Sequence, residues 1–500
     1  MNLIPDFSAR TGNYFCTWDS QCDEMYSRNP GAESIPCRDA MCEDFLFGEN
    51  GVMNSFDGCR EDLIAVIDDG WDVPYGATDR RLFGSLIADE ARFPSLKNLK
   101  PAERLKSISD KVKSLGYKGL GLWVPTQTPS LVCGREVSLT PEEERAYWEE
   151  RAKWCAEAGV VYIKADWGAH QGDADYCNMM TECFRRFAPG VLVEHGLRGV
   201  PLFENENSSH KLTEENKNYL RSVLPACDYL RTYDVVHELK YASTVHRAAV
   251  SLEAAKEIEG KCAVLNIEDT ALIGAALGCS VGIMRHEAEK RRKYLPLPPR
   301  PVGDSVSALR WQRIAPPFAA NRGEVHISDE RLKDVWHCPE RASNLWPSVS
   351  EGEYFFTAPA AVSRNMPLPQ VKAAGEKPYV LCSVHPDNGA LCVAATPRAF
   401  SGKLYAPVPA QVSVKGKSPH APVGIFGAFD SLEIEFEEPL DNCRIIAQSL
   451  LTGSVSEITS RVTAGGNALM IPGALINEIS DIEKTDCEIP AIAVVIKKQQ

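Results

Sequence analysis

The sequence predicts a (β/α)8 TIM barrel over residues 1–365, including a closing and docking segment, followed by an antiparallel β-sandwich over residues 366–500. Three observations lead there. From residue 13 to about 286, eight short apolar runs alternate with polar, helix-forming stretches, the rhythm of a parallel sheet wound into a barrel. Charged and aromatic residues collect at the C-terminal ends of those runs, the face on which such barrels place their chemistry. Beyond residue 370 the helical stretches give way to short strands separated by turn residues.

The runs are NYFCTW (13–18), LIAVIDD (63–69), GLGLWVP (119–125), VVYIKAD (160–166), VLVEHG (191–196), DYLRTYD (228–234), AVLNIED (263–269) and SVGIMRH (280–286). Their apolar cores show little polar alternation, as expected of strands covered on both faces. Between them, PAERLKSISDKVKSLG and TPEEERAYWEERAKWCAEAG each end at glycine, the usual helix stop. The interval before the eighth run is short, so that strand has the weakest signal. Prolines in YLPLPPRPVG (294–303) interrupt regular structure and predict a linker or long surface loop. The stretch 304–365, with SALRWQRIAPPF, can close the barrel with a helix. YVLCSVHPDNGALCVAA then reads as two strands around an Asn-Gly turn, followed by strands in AQVSVKG, LEIEFEEP, RIIAQSLL, ALMIP and AIAVVIK.

With 44% hydrophobic and 24% charged residues, the 500-residue chain has ordinary globular composition. Its net charge of −14 opposes binding to phosphate backbones and anionic lipid, and no basic stripe interleaves with aromatics, so nucleic acid is not an expected partner. The start, MNLIPDFSARTGNYF, lacks a basic segment followed by a long apolar one, and no apolar run reaches transmembrane length. A cytoplasmic protein is expected, with no membrane partner and with self-association left open. The 17 cysteines are odd in number and fit reduced thiols better than a disulfide framework. None of Cys16, Cys22, Cys37, Cys42 and Cys59 forms a CxxC knuckle, so neither a metal nor an organic cofactor is expected.

At the run ends stand Asp68, Asp69 and Trp71 after the second, Trp123 in the third, and Lys164, Asp166 and Trp167 after the fourth. Glu194 and His195 end the fifth, Arg231 and Asp234 the sixth, Glu268 and Asp269 the seventh. Many carboxylates with tryptophans suit a sugar pocket, since carboxylates grip hydroxyls and indole faces cover the apolar side of a ring. Glycoside cleavage needs two carboxyl groups, and Asp166 and Asp234 can face each other across the barrel mouth. Lys164 and Asp166 are two apart and point the same way. No G-x-S-x-G or P-loop context argues for a serine hydrolase or nucleotide enzyme. Other readings stay open: Asp68 as a turn cap, Asp69 as a solvated charge, Trp18 and Trp123 as plain core, and His195 as a histidine satisfied behind the site. Glu268 and Asp269 read as helix N-terminal charges favoured by the dipole and are left out of the site.

The combination of DDGW, YIKADW, RTYD and ALIGAALGC resembles the melibiase-type clan of retaining α-galactosidases and α-N-acetylgalactosaminidases, over roughly the first 290 residues. The resemblance implies Asp166 as nucleophile and Asp234 as acid/base. It also implies that Asp68 and Asp69 hold the sugar's 4- and 6-hydroxyls, that Lys164 and Arg231 are basic sugar ligands, and that Trp18 is the first-strand aromatic. The implied substrate is an oligosaccharide or glycoside. The run VEHGL departs from the clan's Cys-Glu-Trp-Pro: Glu194 can still meet a 2-hydroxyl, but His195 is foreign to the pattern. Related activities on α-N-acetylgalactosaminides or β-L-arabinopyranosides, transglycosylation, and a non-catalytic sugar-binding protein are the alternatives.

Overall fold

The structure, a computed structural model, describes residues 2–8, 10–28, 37–198, 214–232, 239–284, 303–338, 351–400, 403–440, 442–485 and 489–498. Eight parallel strands close into a barrel in chain order. They are β1 (Tyr14–Cys16), β2 (Ile64–Ile67), β3 (Leu120–Pro125), β4 (Tyr162–Asp166), β5 (Leu192–Gly196), β6 (Tyr229–Arg231), β7 (Val264–Glu268) and β8 (Ser280–Ile283). Each falls inside one of the eight predicted runs. The eighth, despite its short lead-in, closes the ring by pairing Gly282 with Tyr14 of β1 and with Glu268 of β7.

Period-two alternation decides what each strand sends where. Phe15, Ala65, Ile67, Leu122, Ile163, Val193, Leu230 and Ile267 pack outward in one cluster with Leu105, Ile108, Trp148, Met180 and Phe184 of the surrounding helices. Tyr14, Cys16, Ile64, Val66, Tyr162 and Tyr229 form a separate cluster within the barrel. The predicted helices form at Pro101–Ser114 and Pro141–Ala158. The second opens on a capping box, in which the Thr140 hydroxyl accepts from the Glu143 N–H and the Glu143 carboxylate accepts from the Thr140 N–H. It stops at Gly159, whose φ of 68° is left-handed. Helix Gly303–Ile314 supplies the closing element, with Gln312 accepting from the Asn13 side chain at 2.6 Å. Of YLPLPPRPVG only the final glycine lies within the described residues.

The C-terminal region is two sheets facing one core. Val393, Ile425 and Val494 come from an eight-stranded sheet, and Leu432, Ile434 and Ile471 from a five-stranded one. Strands Val380–Val384 and Leu391–Ala395 pair antiparallel around Asn388–Gly389, with Gly389 at φ 71°. The sandwich is mixed, because Ala361–Arg364 with Val380–Val384, Leu391–Ala395 with Val423–Gly427, and Gln411–Gly416 with Ser431–Phe436 run parallel. Strands Val325–Ile327 and Ala361–Arg364 belong to the larger sheet. Among the described residues no helix is long and apolar enough to cross a membrane.

Gly282 is where barrel closure meets the polar interior. A Cβ there would lie 2.8 Å from Glu268 Cγ and 2.8 Å from the Tyr14 ring. Gly282→Ala should therefore destabilise the protein by about 1–3 kcal/mol, the cost of overpacking a filled interior. Chemical denaturation would read this, and an unchanged midpoint would show that the barrel can widen at β8.

Candidate active site at the barrel mouth

The alternation that sends apolar side chains outward sends an ionic network inward. Lys164 Nζ lies 3.0 Å from Asp68 Oδ2, 3.3 Å from Glu268 Oε1 and 3.2 Å from Cys16 Sγ. The Cys16 thiol donates to Asp68 Oδ2 at 2.8 Å. Arg231 lies 2.8 Å from Asp166 Oδ1, 3.4 Å from Glu268 Oε2 and 3.5 Å from Glu194 Oε1. Glu194 accepts from the Tyr162 hydroxyl at 2.8 Å and from Asn266 Nδ2 at 2.5 Å. Glu268 accepts from the Tyr14 hydroxyl at 2.6 Å.

Asp166 occupies the open end of this network. Its side chain is 14% exposed, while those of Arg231 and Glu194 are wholly buried. Oδ2 accepts from the Trp123 indole N–H at 3.0 Å, and Oδ1 faces Arg231 and, at 3.6 Å, Arg198. Burial disfavours the carboxylate, but the charges of Arg231, Arg198 and Lys164 outweigh it and hold Asp166 well below the usual range. Burial likewise opposes the Lys164 charge, and Asp68, Cys16 and Glu268 reverse that effect, keeping the ammonium protonated.

Two other carboxyls move the opposite way. Burial pushes Glu194 up to about 7 against the pull of Arg231. Burial also raises Asp69 to about 7, opposed by Arg38, whose Nη2 lies 2.9 Å from Asp69 Oδ2. Asp69 Oδ1 is buried and, among the described residues, accepts no hydrogen bond. It is an acceptor that a ligand hydroxyl can fill.

Trp167, partly buried, packs against the buried rings of Trp123 and Phe83, at 5.3 Å and 5.2 Å between ring centroids. Trp18 starts a helix directly after β1 and packs, partly buried, against the inner cluster. Among the described residues, two predicted site residues point away from the barrel interior. Trp71 is fully buried in the outer core, where its indole donates to the Trp123 carbonyl at 3.0 Å. His195, one residue out of phase with Glu194, points away from the barrel interior. Its Nε2 lies 2.8 Å from the Thr181 hydroxyl of helix Ala174–Phe187, and burial lowers the imidazole to about 4, leaving it neutral. Asp234 lies outside the described residues.

Glu268 is a correction to the sequence reading. It is bonded to Tyr14, Lys164 and Arg231 inside the barrel rather than serving as a helix N-terminal charge. Tyr14, Cys16, Tyr162 and Asn266 were also missed, although each sits two residues from another inward-facing position of its strand. Arg198 and Arg38 left no signal in any run, because both lie in connections. Among the described residues, no His, Cys, Asp or Glu cluster is arranged to hold a metal ion.

No protein-family model and no curated protein matches the sequence. Among solved structures, the chain is similar to α-galactosidase I from Mortierella vinacea, at 10% identity over 98% of this chain and 98% of that one, TM-score 0.39. It is similar to a putative α-N-acetylgalactosaminidase from Bacillus halodurans C-125, at 12% identity over 94% and 98%, TM-score 0.38. It is also similar to an α-amylase from Geobacillus thermoleovorans, at 8% identity over 98% and 100%, TM-score 0.45. At such low identity and TM-score these likenesses carry no weight for function.

Proposed function

We propose that this chain is a retaining exo-glycosidase acting on terminal α-galactosides. The observation that carries the reading is Asp166: an ionised carboxylate at the open end of a barrel, oriented by one indole N–H and held by two guanidiniums. Asp166 attacks the anomeric carbon while the acid/base protonates the departing oxygen. Asp234 takes that second role by the resemblance of RTYD to the clan's motif. The same group then removes a proton from the incoming water. Asp68 and Asp69 receive sugar hydroxyls, and Trp123 and Trp167 cover the ring. A sugar-binding protein without activity needs no pair of carboxyl groups such as Asp166 and Asp234.

A panel of nitrophenyl α- and β-galactosides, N-acetylgalactosaminides and L-arabinopyranosides tests this. Turnover of the α-galactoside is expected, with NMR showing the first-formed sugar in the substrate's anomeric configuration. Inversion, or no turnover of any member, removes the proposal. Within the pocket, Asp69→Ala should cost about 2–4 kcal/mol in kcat/KM as charge-assisted hydrogen bonds to the sugar are lost. Wild-type kcat/KM in that variant would place the sugar elsewhere.

A further inference from the structure

Asp166 is held asymmetrically. Both guanidiniums, Arg231 at 2.8 Å and Arg198 at 3.6 Å, sit on Oδ1, whereas among the described residues Oδ2 has the Trp123 indole N–H at 3.0 Å. The two arginines differ in kind. Arg231 ends β6, is wholly buried and also faces Glu194 and Glu268. Arg198 follows β5, where the backbone is tied down by the Leu197 N–H donating to the Arg231 carbonyl at 2.8 Å and by Asn216 Nδ2 donating to the Arg198 carbonyl at 3.3 Å. Its side chain is 12% exposed, at the same level as Asp166.

Resting on the glycosidase reading, we propose that Oδ2 of Asp166 is the attacking oxygen, and that Arg198 acts on the second half of the reaction by receiving the charge that returns to Oδ1 when the glycosyl-enzyme breaks down. When Asp166 attacks, an Oδ2–carbon bond forms, the bond to the leaving oxygen breaks, and the carboxylate charge is lost to a neutral ester whose carbonyl is Oδ1. In breakdown, the oxygen of water bonds to the anomeric carbon and the Oδ2–carbon bond breaks. The bonding pair returns to the carboxylate, and the water proton goes to the acid/base. A cation fixed beside Oδ1 favours the carboxylate over the ester. It therefore opposes formation of the intermediate and assists its collapse, in keeping with electrostatic stabilisation of developing charge. Facing the same carboxylate among the described residues are Lys164 from β4, Arg231 from β6 and the carboxyl of Asp69 after β2. Arg198 is the one of these cations that the sequence motifs leave unassigned.

The test is Arg198→Gln, with Arg198→Lys as the charge-keeping control, labelled by a 2-deoxy-2-fluoro-α-galactosyl fluoride. Labelling of Arg198→Gln should be no slower than wild type. Reactivation of the trapped enzyme in buffer should be at least ~10-fold slower, one pKa unit's worth of differential interaction, and Arg198→Lys should recover most of the rate. A purely structural role would slow both steps together, so parallel losses overturn the inference, as does an unchanged reactivation rate. Wild-type protein that turns over glycosides and is labelled keeps the glycosidase reading intact whichever way the variant behaves. Wild-type protein that does neither overturns both.

Discussion

Asp166→Ala is expected to lower kcat by several orders of magnitude, and sodium azide is expected to restore part of the activity as a glycosyl azide of inverted anomeric configuration. The loss follows from removal of the nucleophile. The rescue follows from what the substitution leaves behind. With the carboxylate gone, Arg231 and Arg198 face a space that a small anion can enter, opposite the anomeric carbon. The Trp123 indole N–H, which donates to Oδ2, points into the same space. Arg231 keeps Glu194 and Glu268, so the variant retains partners for its buried charge and should fold. Near-normal turnover in a folded variant, judged by circular dichroism and thermal midpoint, removes Asp166 from the mechanism. A dead variant that azide does not rescue argues against attack by this carboxylate.

The fold was legible because a barrel strand covered on both faces reads as a short apolar run, and the intervals between runs had room for helices. The site was legible where a motif ends a strand, as at Asp68, Lys164, Asp166 and Arg231. It was misread where the direction of one side chain mattered more than its chemistry. His195 and Glu194 are adjacent and equally polar, yet period two sends Glu194 into the network and His195 to Thr181 on a helix. Glu268 was set aside because an acidic residue before a helix usually serves the dipole. Counting by two from Asn266 places it inward, and the structure has both residues there. Arg38 is separated by 31 residues from its partner Asp69 and comes from the connection between β1 and β2, so no local pattern announces it. Mixed pairing in the sandwich escaped for a related reason. Alternation in SLEIEF and QVSVKG reports which face is buried, not the direction of the neighbouring strand.

Arg231→Met is expected to destabilise the fold by about 3–5 kcal/mol near neutral pH, because truncating one partner of a buried ionic group leaves the others uncompensated. Among the described residues, three carboxylates face this guanidinium: Asp166, Glu194 and Glu268. The deficit should vary with pH in a way that identifies its source. Glu194 is raised by burial to about 7 in the folded protein, above its ordinary value of ~4.3, so the native state takes up its proton first. The stability this group contributes is present below ~4.3 and lost as pH rises through about 7. Asp166 is depressed, so its contribution is present above ~3.9 and lost on acidification. At pH 5 Glu194 is protonated with or without the arginine, and the deficit comes from the remaining carboxylates. Between pH 6 and 8 the wild-type Glu194 ionises against Arg231, whereas in the variant that ionisation has no guanidinium beside it. The gap between the two proteins should therefore widen across that interval, and a second change, Glu194→Gln, should flatten it. Denaturant unfolding of the four proteins at pH 5, 6, 7 and 8 measures this directly. A deficit that is constant over the range, or that shrinks as pH rises, would mean that Arg231 is held chiefly by packing and that its charge is balanced by groups other than Glu194.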